Sequence, residues 1–221
     1  MATRRQPSPS RPRRLLTGSD PVRRAIYIVG MMPAAWTFYL GVIDQLGADP
    51  QKTLERTLGL WALRFLIASL AITPLRRLGG PNLVRYRRAI GLLAFYYVCL
   101  HLSVYLLLDQ GLDFGAIWAD IVKRPYITVG MLAFVVLVPL AVTSNAPMIK
   151  RLGAVAWQRL HRFVYVAAAA GVIHFVMLIK SWSIEPALYA ALVAAFLLFR
   201  LVVHVQKRHK RPARRAETAS A

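Results

Sequence analysis

Six apolar stretches, at residues 25–43, 57–73, 89–108, 126–142, 157–179 and 186–205, constrain this chain more than anything else in it. Each is close to the ~20 residues a helix needs to cross the hydrocarbon of a bilayer, the second and fourth being shortest. With 57% hydrophobic residues and a mean hydropathy of +0.47 over 221 residues, a soluble fold would leave far too much apolar surface in water. The expected fold class is all-α, a polytopic six-helix membrane bundle.

Basic residues in short loops stay on the cytoplasmic side. The segment before the first stretch carries Arg4, Arg5, Arg11, Arg13, Arg14, Arg23 and Arg24. Arg76, Arg77, Arg85, Arg87 and Arg88 lie between stretches two and three, and Lys150, Arg151, Arg159 and Arg162 lie at the border of the fifth. All fall on one side. The opposite connections are acidic or mixed, with Asp44, Asp49 and Glu55, then Asp109, Asp113 and Asp120, then Lys180 and Glu185. Both termini are therefore expected in the cytoplasm. Residues 1–24 and 206–221, rich in Arg, Pro, Ser and Ala, are expected to be disordered arms flanking a membrane domain at 25–205. The first apolar stretch is too long for a cleavable signal and leads into further spans.

The formal net charge of +20 is spread over the basic loops and tails without interleaved aromatic residues. That pattern fits attraction to anionic membrane lipids and predicts no nucleic-acid partner. The single cysteine, Cys99, excludes an internal disulfide and a cysteine-only metal site.

His101, His161 and His174 lie within the apolar stretches, where an ionisable side chain marks a functional site by default. His204 and His209 sit at the edge of the basic tail and carry no such signal. His161 and His174 are 13 residues apart, about 20 Å of helical rise, which is too far for one ion to bind both. No i, i+3 or i, i+4 pair exists for a compact zinc site. Levelling the helices at Arg88 and Arg162 puts His101 and His174 at equal depth, 13 and 12 residues in. A bis-histidine iron site between the third and fifth stretches is then sterically reasonable. His161 sits near the basic border at the level of Arg87 and Arg88, and shares a face with His174 only if its helix bends. Two readings of His161 stand: a functional imidazole, or part of an interfacial anchor with Trp157 and Tyr165.

Arg64 is a charge inside the second stretch, either a partner for an anionic cofactor group or quinone carbonyl, or a side chain reaching for the outer headgroups. Arg77, Arg87 and Arg88 could bind a flavin phosphate at the cytoplasmic border or simply set topology. Tyr97, Tyr105, Trp157 and Phe163 lie near the histidines, as pocket lining or as ordinary packing.

The stretches ALRFLIASLAITPLRRL (62–78), RYRRAIGLLAFYYVCLHLSVYLLLD (85–109), KRPYITVGMLAFVVLVPLAVTSN (123–145) and KRLGAVAWQRLHRFVYVAAAAGVIHF (150–175) carry a resemblance. In order and spacing they resemble the MsrQ/YedZ family, haem-binding membrane subunits of the periplasmic protein-methionine-sulfoxide reductase. The LHL, KRPY, TS and LHRFVY elements make the likeness specific, and it covers about residues 25–205. That family is similar to the transmembrane domain of ferric reductases and NADPH oxidases, which stack two b haems between helices three and five.

The resemblance implies a b-type cytochrome of the bacterial inner membrane. It would take electrons from a cytoplasmic flavin reductase or the quinone pool and pass them to a periplasmic molybdopterin-containing catalytic subunit, which repairs oxidised methionines in envelope proteins. The family's essential histidines fall on His101, His161 and His174, and FMN is implied for some members. No flavin-binding domain is visible in the chain, so a flavin would sit at the membrane face or on a partner. Two bis-histidine haems need four histidines, yet the third stretch supplies only His101, with Arg88 where the inner ligand would stand. One haem, between His101 and His174, is expected; a second requires His161 to find a water or non-histidine ligand, and pairing of His101 with His161 stays open.

The alternative class is a six-helix transporter moving protons or metal ions on the same histidines. The sequence shows no internal repeat and no Gly/Pro-interrupted helix pair of the kind that marks a transport site. An intramembrane hydrolase would need aspartates within the spans, whereas here they lie in loops and at ends.

Overall fold

A computed structural model describes residues 20–178 and 184–219. Its described part is almost entirely helical: α1 Pro21–Val42, α2 Pro50–Arg77, α3 Arg87–Val104, α4 Phe114–Lys123, α5 Pro125–Val142, α6 Ala146–Leu160, α7 Val164–Leu178 and α8 Ile184–Ala219. Among the described residues, six stretches are long and apolar enough to cross a membrane, at 21–42, 50–77, 84–109, 125–142, 146–178 and 184–206.

Local chemistry explains the helix starts. Asp20, Asp49, Asp113 and Asn145 each cap a helix by accepting from an amide of its first turn, and proline occupies the start of α1, α2, α5 and α6, where no amide donor is required. At Asp49 the Lys52 ammonium and amide also hold the carboxyl below its usual range. The Asp49–Pro50 start lengthens α2 by two turns beyond the stretch predicted at 57–73, so Glu55 stands on the helix rather than in a loop.

The fifth stretch is built differently from a single helix. Gly153 breaks α6 with φ +74°, a left-handed conformation that favours glycine, and a 3-10 turn at His161–Phe163 separates α6 from α7. None of the α6 residues is buried, as Lys150, Arg151 and Arg159 demand. The last helix is Ile184–Ala219, of which 184–206 is the apolar, membrane-length part.

Helices α2, α3, α5 and α7 form the inner bundle, with α3 packed chiefly on α2 and α5 on α7. Leu63, Leu66 and Leu70 of α2 meet Ala94 of α3, Leu137 of α5 and Ala167, Ala168, Val172 and Phe175 of α7 in the main core. The alanines let α7 approach closely, as small residues do between membrane helices. Helix α1 closes one flank, where the buried Tyr97 hydroxyl donates to Gly30 O (2.7 Å) and accepts from Ala34 N (2.9 Å) beside Pro33. Helix α8 closes the other. The outward faces of both are apolar, with Ile28, Val29, Met32 and Trp36 exposed on α1 and Leu188, Leu198 and Leu201 on α8, as lipid-facing surfaces require.

Candidate metal centre

Helix α3 delivers His101 and α7 delivers His174 into the inner bundle, with ring centres 6.2 Å apart and ring planes at 78°. Each ring is held from behind. His101 Nδ1 lies 2.9 Å from Glu55 O on α2, and His174 Nδ1 lies 2.7 Å from Tyr126 O on α5. A carbonyl only accepts, so each Nδ1 carries the proton and donates it. Each Nε2 is then left with its lone pair, the arrangement found where histidine binds a metal.

The residues fit an iron held by two imidazoles. A metal–imidazole bond of about 2.0 Å, plus roughly 1.2 Å from ring nitrogen to ring centre, separates two collinear ring centres by about 6.4 Å. The observed 6.2 Å matches that span. Room for the rings comes from two glycines: a Cβ on Gly59 would stand 3.1 Å from His101 Nδ1, and one on Gly130 would stand 2.8 Å from His174 Nδ1. Glu55 also places Oε1 3.9 Å from His101 Nε2, beyond hydrogen-bond reach.

His161 belongs to another neighbourhood. It stacks on Trp157 at 3.8 Å between ring centres, its Nδ1 lies 3.0 Å from Trp157 O, and its Nε2 lies 3.3 Å from Ser144 Oγ. Trp157 is fixed in turn by donating to Thr143 O (2.9 Å). Ser144 also lines a cavity of about 710 Å³ between α1, α3 and the start of α6, together with Arg23, Tyr27, Arg88, Tyr96 and Asn145. Among the described residues, two arginines and no carboxylate line this cavity, so its field favours an anion. The structure thus brings His101 to His174, and places Ser144 next to His161 and in the wall of the cavity that Arg88 also lines.

The other basic candidates separate clearly. Arg64 donates to Tyr189 Oη (2.7 Å), lies 3.6 Å from Glu185 Oε1 and rests on the Trp61 ring, so its charge is met within the protein. Arg77 is exposed at the last turn of α2. Arg87 turns inward to Thr73 Oγ1 (2.6 Å) and Ser69 O (3.3 Å). Arg200 of α8, which the sequence did not single out, donates to Tyr165 Oη and Leu70 O and leaves its Nε buried without a partner. Of the aromatic residues, Tyr97 ties α1 to α3, Tyr105 donates to Asp120 (3.3 Å), Trp157 stacks on His161 and Phe163 is exposed. Gly59 and Gly130 carry no sequence signal, and Ser144 stands out in the sequence only as part of the TS element.

Residues 58–172 match the family described as ferric reductase like transmembrane component. Over 190 residues the chain is 57% identical to a Brucella anthropi protein described as the protein-methionine-sulfoxide reductase heme-binding subunit MsrQ, covering 86% of each chain. The chain belongs to the MsrQ family. Relatives of the same description in Brucella ovis and Brucella canis are 58% identical over 176 residues, 80% of each chain. Family membership and six spans make it a multi-pass membrane protein of ferric reductase-like type. It also favours an electron-transfer role over the transporter class.

Proposed function

We propose that this chain is the haem-carrying electron-transfer subunit of a protein-methionine-sulfoxide reductase system in a bacterial inner membrane, with one b-type haem held by His101 and His174. The observation that carries the reading is the facing pair of imidazoles, each with its Nδ1 proton committed to a carbonyl and its Nε2 without a hydrogen bond among the described residues. Bound there, haem supplies a one-electron carrier whose potential is tuned by its axial ligands and their hydrogen bonds. The protein's part is to fix the ring orientations and keep water out, through the close packing of α2, α3, α5 and α7.

The arginine-rich end is assigned to the cytoplasm, with both termini there, and the Glu55 and His101 end to the periplasm. The domain limits follow, with the haem-binding bundle at 25–205. Electrons enter at the cytoplasmic end from a flavin reductase or the quinone pool. The cavity holding Arg88 is the proposed place for an anionic donor such as FMN, with His161 beside it as a polar group on the route inward. Arg77, exposed at the same end, is assigned to the docking of an anionic donor. Arg64 is assigned to tying α2 to α8 rather than to a cofactor. The electron acceptor is a periplasmic molybdopterin-containing catalytic subunit.

The test is a reoxidation assay. The purified chain is reduced anaerobically, and its haem absorbance is followed after addition of a methionine-sulfoxide reductase catalytic subunit with methionine sulfoxide. Rapid reoxidation that needs both additions is the expected result; reoxidation independent of either contradicts the reading.

A further inference from the structure

The supports behind the two histidines are the same device used twice. On α2 the accepting carbonyl is Glu55 and the open position is Gly59; on α5 they are Tyr126 and Gly130. In both, the glycine follows the carbonyl by four residues. That is the register in which a helical N–H bonds to a carbonyl one turn back, so each carbonyl serves its own helix and an imidazole. A Cβ at the fourth position would crowd the ring that reaches that carbonyl from the neighbouring helix, and glycine leaves the approach open. The segments ERTLG (55–59) and YITVG (126–130) share threonine two residues before the glycine, a likeness too short to register as a repeat. The helix pairs carrying them, α2 with α3 and α5 with α7, are the two most closely packed in the bundle.

We propose that Gly59 and Gly130 are positioning residues for the two iron ligands. Each opens a helix surface so that the ligand imidazole can donate its Nδ1 proton to a backbone carbonyl, which fixes the ring plane and strengthens the Nε2 donor. This inference rests on the haem reading above. The two sites are unequal. An added Cβ would reach 2.8 Å from His174 Nδ1, closer than real contacts allow, and 3.0 Å from its Cε1, but 3.1 Å and 3.3 Å from the same atoms of His101. Alanine at 130 must therefore displace its ring, whereas alanine at 59 asks for a shift of a few tenths of an ångström. Gly91 and Gly171, on the ligand-bearing helices themselves, have nothing within 4 Å of an added Cβ and serve as controls.

The experiment compares full-length, haem-loaded wild type with Gly59→Ala, Gly130→Ala, Gly91→Ala and Gly171→Ala. It measures haem per chain, midpoint potential and the highest g value of the low-spin ferric electron paramagnetic resonance signal. Loss of a supporting hydrogen bond typically costs about 10- to 100-fold in metal-site affinity. Gly130→Ala is expected to show haem loss within that range, a raised potential and a shifted g value, Gly59→Ala smaller changes of the same sign, and the controls none. Wild-type values in both Gly59→Ala and Gly130→Ala would overturn the proposal. A wild-type chain without haem would instead remove the haem reading and the cradles with it.

If the alanine variants do not fold, His174→Gly decides the matter with two added ligands. Imidazole carries an N–H for Tyr126 O, while 1-methylimidazole has none. Restoration of the low-spin spectrum at about tenfold lower imidazole concentration is expected; equal potency of the two would overturn the proposal.

Discussion

His101 and His174 face each other across the inner bundle with ring centres 6.2 Å apart, although they stand on helices separated in sequence by α4, α5 and α6. Neither ring is free to turn, because α2 and α5 each offer a carbonyl to the Nδ1 side.

Arg64 meets Glu185 and Tyr189 across the α2–α8 contact. The pair is partly exposed, so Arg64→Gln is expected to cost only about 0.5–1 kcal/mol in thermal unfolding, with haem content and potential unchanged. A shifted potential in this variant would return Arg64 to the cofactor.

His161 is expected to be dispensable for the haem between His101 and His174. His161→Ala should keep the wild-type haem content and low-spin spectrum, while reduction by reduced FMN slows several-fold in stopped flow. Haem loss in this variant would mean that His161 is an iron ligand.

Arg23 and Arg88 share the cavity beside Ser144, with no carboxylate among the described residues that line it. A charge-assisted hydrogen bond is worth about 1.5–3 kcal/mol, so Arg88→Gln should weaken FMN binding by about 10- to 100-fold in a fluorescence titration. Arg87→Gln should leave FMN affinity unchanged and lower stability, since Arg87 is committed to Thr73 and Ser69. Equal FMN affinity in wild type and Arg88→Gln would contradict the assignment of the cavity.

Hydrophobic length makes the six spans readable, and counting from Arg88 and Arg162 places His101 and His174 at one level. That counting works because rise per residue is fixed in a helix, so depth follows from position. Azimuth does not, because it depends on where a helix is broken. The glycine kink at 153 and the 3-10 turn at His161 redirect the chain just before α7. For Arg64 the sequence leaves a cofactor group and the outer headgroups as alternative partners, because the groups that meet it lie 121 and 125 residues away, on α8. Gly59 and Gly130 gave no signal for a related reason. A glycine in a membrane helix is common, and its purpose shows only when the atom occupying the vacated space is known.

The most direct test of the account is a reduced-minus-oxidised visible spectrum of the purified protein, with haem quantified per chain, for wild type, His101→Ala, His161→Ala and His174→Ala. The account predicts a low-spin b-type spectrum near one haem per chain in wild type and His161→Ala, lost in His101→Ala and His174→Ala. A properly folded wild-type chain without haem, or full retention of the low-spin signal in His101→Ala or His174→Ala, would contradict it.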